Sequence, residues 1–335
     1  MGSQSHHRGR VRAGLVVLAL VFSSLLGAGP LARAATPQKM AMILPGPVED
    51  ADFNALGYLA LQNIQKEFGV AVSHSEKVAV ADAERVAREY ISAGYTIVAF
   101  HGGQYLAMTQ KLAPQFPEVN FIIVSQGRGL PPNVWNITRR FHQGFYALGA
   151  LAALTTKSGK VGYVSGIRLP EFVSSLNAVY LAMKDLQPKA ELRYAFVGDQ
   201  NDPLKARQAA EAQIAWGADV IVSQVNLGFS GVTEAARAAQ RPVLVTSFYT
   251  DKYDAAPQVL TVSLLLDFGM AYRSAVAAIQ RGQRGGDFEM RPGQAMALSP
   301  IRNVPPEVAR RVEGIYREIV TGKPVPDVLD KILVP

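Results

Sequence analysis

Asp50, Phe53 and Asn54 sit at the end of a Gly/Pro/acid loop that leaves an apolar run, Met40–Leu44, and a helical pattern begins directly behind them. An aromatic ring can stack on a flat or sugar-ring solute, and an amide can both donate and accept hydrogen bonds. That is the chemistry of binding rather than of bond breaking. The same residues can also serve the helix alone, with Phe53 as a hydrophobic staple and Asp52 or Asn54 as the N-cap. A second cluster, Phe100-His101-Gly102-Gly103-Gln104-Tyr105, follows a third apolar run. Its paired glycines allow backbone amides to approach a ligand or open a helix. His101 is either a ligand donor or a histidine satisfied within its own loop, and Gln104 and Tyr105 complete the group.

Further along, Gln200, Asn201 and Asp202 follow one apolar run, Gln224, Val225 and Asn226 another, and Ser247, Phe248 and Tyr249 a third. Strand carboxyl ends are where open α/β sheets bind ligands. Gln200, Asn226, Ser247 and Tyr249 therefore join the candidate ligand-binding residues. Asp202-Pro203 also reads as a helix start, with Asp as the cap and Pro in the first turn. Trp216 before Gly217 reads as packing at a helix end, and His142 as structural. Asn136-Ile-Thr138 is a chance glycosylation sequon.

Several chemistries find no residues. The chain has no cysteine, so disulfides, thiolate metal sites, cysteine catalysis and a cysteine-linked lipid are excluded. Behind residue 34 the histidines are His74, His101 and His142, with no partner at metal-ligand spacing. No P-loop, H-E-x-x-H or G-x-S-x-G motif is present, and Gly228-Phe-Ser-Gly231 is too short for a nucleophile elbow. An enzyme, a cofactor and a metal are thus not expected. The formal charge is +7, but Arg8, Arg10, Arg12 and Arg33 carry four of those charges, which leaves +3 beyond residue 34. No basic block with interleaved aromatics occurs, so nucleic acid is not an expected partner.

The elements that must position these residues are legible from apolar runs. Strands are predicted at Met40–Leu44, Val70–Ser73, Thr96–Phe100, Asn120–Val124, Lys160–Ser165, Leu192–Val197, Val220–Ser223, Val243–Val245 and Val259–Leu264. Amphipathic segments such as Ala81–Ala93, Leu204–Trp216 and Val232–Ala239 lie between them. Near-continuous apolar strands separated by helices indicate an α/β protein with parallel sheets covered on both faces. Residues 90–99 and 213–222 echo one another as helix end, glycine cap and buried strand. Two such arrays fit two Rossmann-like lobes joined by crossing strands near Asn133–Arg140 and Val259–Leu265, with surface loops at Gly127–Pro132 and Arg281–Gly286. The expected lobes are residues 38–139 with about 263–290, and 140–262 with about 295–330.

Residues 1–34 combine arginines without acids, an apolar stretch from Ala13 to about Ala28, and Ala32-Arg33-Ala34. This is the pattern of a signal peptide cleaved near Ala34, and the stretch falls short of the roughly 20 residues that span a bilayer. The expected product is soluble, exported to a periplasm and free of lipid.

Several segments together resemble the basic-membrane-protein family of ABC-importer substrate-binding proteins, which includes purine-nucleoside receptors. They are Gly46-Pro-Val-Glu-Asp-Ala-Asp-Phe-Asn54 with Tyr58; Phe141-His-Gln-Gly-Phe-Tyr-Ala-Leu-Gly-Ala150; Ser158-Gly-Lys-Val-Gly-Tyr-Val-Ser-Gly166; Val197-Gly-Asp-Gln-Asn-Asp-Pro-Leu-Lys-Ala206; Trp216-Gly-Ala-Asp-Val-Ile221; and Gly322-Lys-Pro-Val-Pro326. The resemblance spans residues 38–330. It implies a type I periplasmic binding fold that closes by a hinge on a small molecule, places Phe53 and Asn54 in the cleft, and gives a membrane permease as partner and a monomer as the default state. It departs from nucleoside-binding members where they carry an acid (here Ala107), a second stacking aromatic (Gln200), a Gly-x-Asp segment (Thr246-Ser247, with Asp251 shifted along) and a lysine (about Leu265). The expected solute is small, polar or heteroaromatic, with a nucleobase or nucleoside first in line and a receptor retuned to a non-purine ligand as the alternative. A sensory receptor of the same fold, signalling to a membrane kinase or chemoreceptor, is the other reading left open.

Overall fold

Apolar runs of four to seven residues bounded by glycine, proline or polar loops become strands, and the longer amphipathic runs between them become helices. The computed structural model describes residues 38–335; the expected leader and its cleavage site at Ala34 lie outside the described residues. The first lobe contains β1 (Lys39–Ile43), α1 (Phe53–Phe68), β2 (Ala71–Ser75), α2 (Val80–Ser92), β3 (Ile97–Phe100), α3 (Leu106–Leu112), β4 (Asn120–Val124) and β5 (Val134–Arg139). The second runs through α4 (Phe141–Thr155), β6 (Lys160–Ser165), α5 (Pro170–Leu186), β7 (Glu191–Phe196), α6 (Pro203–Trp216), β8 (Val220–Gln224), α7 (Phe229–Ala238), β9 (Leu244–Tyr249) and β10 (Leu260–Leu266). The chain then adds α8 (Phe268–Gln280), β11 (Gly286–Pro292), β12 (Ala295–Leu298) and α9 (Pro306–Val320).

The strands follow one another in the order β2-β1-β3-β4-β5-β11-β12-β10-β9-β8-β6-β7. Among the described residues all strand pairs are parallel except β10 with β12. Two α/β lobes with parallel sheets, joined by crossing segments, result. The chain passes between lobes after Arg139, after Leu266, where α8 returns to pack on α1, and again between β11 and β12. Central strands such as β1, β3 and β4 are buried along almost their whole length, whereas the outermost strands β2 and β7 carry exposed residues. Polar, exposed edge strands discourage pairing with other chains.

Two predictions about strands are corrected. β9 runs to Tyr249, so Ser247, Phe248 and Tyr249 are its last three residues instead of a loop after it. β11 and β12 were not among the predicted strands; β11 starts at Gly286, where the loop at 281–286 ends. In β11 only Phe288, Met290 and Pro292 are buried, and its register with β5, from Gly286 opposite Trp135 to Met290 opposite Arg139, comes from a partner about 150 residues away. Such a strand has too little apolar content to announce itself locally.

Helix α4 packs against α5 and α9, and twelve of its residues are buried. Its glycines set how closely neighbours approach. A Cβ on Gly149 would lie 2.6 Å from Cα of Val179 in α5, and one on Gly144 would meet the Leu264 side chain at 2.5 Å. Gly314, on α9, has open space around it. Gly149→Ala is therefore expected to lower stability by about 1–3 kcal/mol through overpacking against backbone. Gly314→Ala should raise it by roughly 0.5–1 kcal/mol through reduced unfolded-state entropy. Thermal melts of the two variants check both signs; an unchanged Gly149→Ala melt would mean that α4 and α5 are not packed at this distance.

Candidate functional site

The β1–α1 loop is organised by Asp50, which is 1% exposed. Its Oδ1 accepts from the backbone N–H of Asp52 (3.0 Å) and Ala55 (2.9 Å), and its Oδ2 from the backbone N–H of Asn54 (3.0 Å) and from Asn54 Nδ2 (2.7 Å). Asn54 Oδ1 in turn accepts from the N–H of Gly46 at 3.1 Å. A carboxylate near the first turn of a helix satisfies N–H groups that have no partner in the helix and complements its dipole. Asp50 and Asn54 thus brace the loop, and Asp50 supplies the capping role that the sequence offered to Asp52 or Asn54.

That arrangement leaves the Asp52 carboxylate free to reach the other lobe. Its Oδ1 accepts from Lys252 Nζ at 2.6 Å and from Thr250 Oγ1 at 3.4 Å, and Lys252 also donates to the Phe248 carbonyl at 2.6 Å. Asp52 is 1% and the Lys252 side chain 12% exposed. Burial pushes the Asp52 carboxyl up to about 6, with the Lys252 ammonium pulling against it, and burial lowers Lys252. Tyr249, in the facing segment, has φ 72°, and Ala51, beside Asp52, has φ 60°. Left-handed backbone at a bulky aromatic residue is costly and concentrates at functional contacts.

Aromatic rings surround this junction. Phe53 stacks on His101 with centroids 4.0 Å apart and an interplanar angle of 22°. Phe268 meets Phe53 edge-on at 5.6 Å, and Tyr249 approaches it from the second lobe at 6.0 Å. Tyr249 also lies 4.1 Å from Phe248 and 6.3 Å from Phe141. His101 is fully buried, and burial depresses its pKa to about 3. Its Nε2 is 2.7 Å from the Phe53 carbonyl, which can only accept, so Nε2 carries the proton and Nδ1 accepts from Tyr272 Oη at 2.8 Å. Gly57 makes room for this ring, since a Cβ there would lie 2.7 Å from Nε2. Arg139, at the end of β5, reaches Glu171 of α5 at 3.1 Å.

The second lobe contributes polar atoms without partners. Gln200 Nε2 and Oε1, Asn226 Oδ1 and Ser247 Oγ are all buried and have no hydrogen-bond partner among the described residues. The Gln200 carbonyl accepts from the N–H of Asn226 (2.9 Å) and of Gly228 (3.1 Å), which ties two strand-end loops together. Buried polar atoms left open in a native fold call for an explanation, and a ligand or water is the usual one. Two open depressions on the surface, one of about 790 Å³ lined by Arg237, Gln240, Arg241 and Asp254 and another of about 830 Å³ lined by α2 and Ala93 behind it, include no residue of this junction.

The structure therefore brings His101 and Tyr249 each to Phe53, braces the loop before Phe53 with Asp50 and Asn54, and ties the Gln200 backbone to Asn226. Gly102 is buried at the start of a single 3₁₀ turn, and Gln104 is exposed beside it. Tyr105 stands apart: it is 0% exposed in the outer core layer, its hydroxyl donating to the Val78 carbonyl at 2.6 Å. Asp202 caps α6 by accepting from the N–H of Lys205 at 3.0 Å. The sequence reading did not single out Asp52, Arg139, Glu171, Lys252 or Phe268 for the site. Lys252 follows an expected strand end by a few residues, and only pairing across 200 positions shows what it does.

Comparison with known proteins supplies the context. The family described as ABC transporter substrate-binding protein PnrA-like matches residues 37–291. A purine-binding protein of Brucella abortus is 26% identical, the match covering 92% of this chain and 87% of that one. Basic membrane protein A2 of Borrelia garinii is 22% identical over 90% of this chain and 91% of its own. Among solved structures, a solute-binding protein of an ABC transporter system from Conexibacter woesei superposes with a TM-score of 0.70 at 25% identity, covering 88% of this chain and 100% of that one. A second, from Aeropyrum pernix, has a TM-score of 0.74 at 19% identity over 85% and 92%, a likeness of fold. With more than half its length matched and the two-lobed α/β architecture in place, this chain belongs to the PnrA-like family of ABC transporter substrate-binding proteins.

Proposed function

We infer that the protein is an exported, lipid-free periplasmic receptor that captures a purine-type base or nucleoside between its lobes and presents the closed form to an ABC permease. It would act as a monomer, with residues 38–139 plus about 263–290 and residues 140–262 plus about 295–330 moving as two bodies. The observation that carries this reading is the junction itself: an aromatic cluster centred on Phe53 and joined by Tyr249 from the end of β9, in a molecule whose second lobe holds buried atoms of Gln200, Asn226 and Ser247 without partners among the described residues. The purine-binding relative supports a flat heteroaromatic ligand. Phe53 would stack the ring, Tyr249 would face it from the second lobe, and the three polar side chains would read its edge. A ligand can draw the lobes together only through contacts that are better in the closed form. The Asp52–Lys252 and Arg139–Glu171 pairs would then form as the lobes meet. The Phe53 ring is held by the neutral His101 stacked on it.

A thermal-shift panel of nucleosides, free nucleobases, sugars, amino acids and small vitamins tests the ligand class. A ligand at a hundredfold excess over its Kd should stabilise the protein by roughly 2.7 kcal/mol. Hits are expected among purines; hits confined to another class would mean that the site has been retuned. Calorimetric titration of Phe53→Ala should show affinity reduced by about tenfold or more, the usual scale for a lost base-stacking ring, while the variant melts cooperatively. Unchanged affinity would remove Phe53 from the site.

His101 generates a pH prediction. Its folded pKa of about 3 lies below the unfolded value near 6.5, so its stabilising contribution is full above the unfolded value and is lost as pH falls toward 3. The loss amounts to about 2 kcal/mol by pH 5. Asp52, with a raised pKa, acts in the opposite direction, its contribution being lost as pH rises through about 6; it is common to wild type and variant. His101→Asn should therefore lose less stability than wild type between pH 7 and 5 in chemical denaturation. Parallel pH profiles would mean that His101 is not held neutral.

A further inference from the structure

Two arginines stand side by side where β5 ends, and they are used differently. Arg140 is tied to Glu289 and lies 3.7 Å from Asp327, so it links β11 and the C-terminal segment to the crossing. Arg139 points into the aromatic junction. Its guanidinium carbon is 5.4 Å from the Phe53 ring centroid and 5.1 Å from that of Phe141, and the side chain is 6% exposed. A buried guanidinium has five N–H donors to satisfy. Nη2 donates to Glu171 Oε1 at 3.1 Å, and Nε is buried without a partner among the described residues.

Formal charge limits what could complete it. Glu171 faces Arg139, Asp52 faces Lys252, and the Asp50 carboxylate is held by three backbone N–H groups and the Asn54 amide. No uncompensated cation is left among these groups for an anionic ligand, and an unpaired buried charge is costly. A neutral group rich in acceptors fits better. The guanidinium fork matches two adjacent acceptors, and on a purine these are a carbonyl oxygen at C6 and the ring nitrogen N7. An aminopurine presents an N–H donor in place of that oxygen, so donor would face donor.

We propose that Arg139 is the residue that sets ligand specificity, and that the solute is a 6-oxopurine, as free base or nucleoside, in preference to a 6-aminopurine. The assignment rests on the purine-type reading of the junction. Arg139 reads the O6/N7 edge, and Phe53 supplies the stacking face.

Calorimetric titration of the purified protein with hypoxanthine, guanine and adenine, and with inosine and adenosine, tests it. Wild type should bind the 6-oxo compounds at least about tenfold tighter than their 6-amino counterparts. Arg139→Gln should bring that ratio to unity or invert it, because a glutamine amide suits the N6/N7 edge of adenine. Arg139→Lys keeps the charge but loses the fork; it should melt like wild type and yet lose most of the preference, which a merely structural arginine would not do. Wild type preferring adenine, or either variant keeping the wild-type ratio, would overturn the assignment of Arg139. Binding of no purine at all would overturn the purine reading, and the assignment with it, whereas purines bound without discrimination would leave that reading standing and remove only Arg139.

Discussion

The buried contact between Asp52 and Lys252 joins residues 200 positions apart and draws the two lobes together at the candidate site. It depends on a division of labour in the β1–α1 loop. Because Asp50 takes over the N-terminal N–H groups of α1, the Asp52 carboxylate at the helix start is released to reach across to β9's end. Both partners give up most of their water, and burial opposes the charge on each. Such a pair adds little net stability over an apolar contact of similar size, but it is costly to leave half-made. Its value is therefore geometric: it holds only when the loop of one lobe and the end of β9 in the other are in one relative position. A second charged contact, Arg139 with Glu171, imposes the same condition from the crossing strand.

Aromatic rings gather around these pairs, Phe53, His101 and Phe268 from the first lobe and Phe141, Phe248 and Tyr249 from the second. His101 belongs to this set as a neutral ring, fixed by one donated and one accepted hydrogen bond. The unpartnered atoms of Gln200, Asn226 and Ser247 lie at the ends of parallel strands, where the sheet presents its loops. An apolar sandwich with a few polar groups of fixed position is the usual construction of a small-molecule site. The left-handed backbone at Tyr249 and Ala51 shows that both facing segments hold unusual conformations at the place where they meet.

How much of this was legible depended on the range of the interaction. Asn120–Val124 and Lys160–Ser165 read as strands at their observed bounds, because burial on both faces writes a continuous apolar run. β11 is held by pairing with β5, and its local pattern is too weak to show. Phe53 and His101 could be singled out because each follows a strand, but that they stack on one another could not. Tyr105 looked equivalent to them in sequence, yet the 3₁₀ turn that begins at Gly103 directs it into the outer core. The roles of Arg139 and Lys252 are set by partners in the opposite lobe, and nothing near them in the chain marks them.

In the proposed function a solute is held between the lobes at Phe53. A crystal structure of the protein with the tightest-binding purine of the ligand panel tests it most directly. Density for the ring is expected against Phe53, with its polar edge within hydrogen-bond distance of Arg139 or of the Gln200, Asn226 and Ser247 side chains. A purine bound at another face of either lobe, with the Phe53–His101 stack and both interlobe ion pairs as they are here, would contradict it.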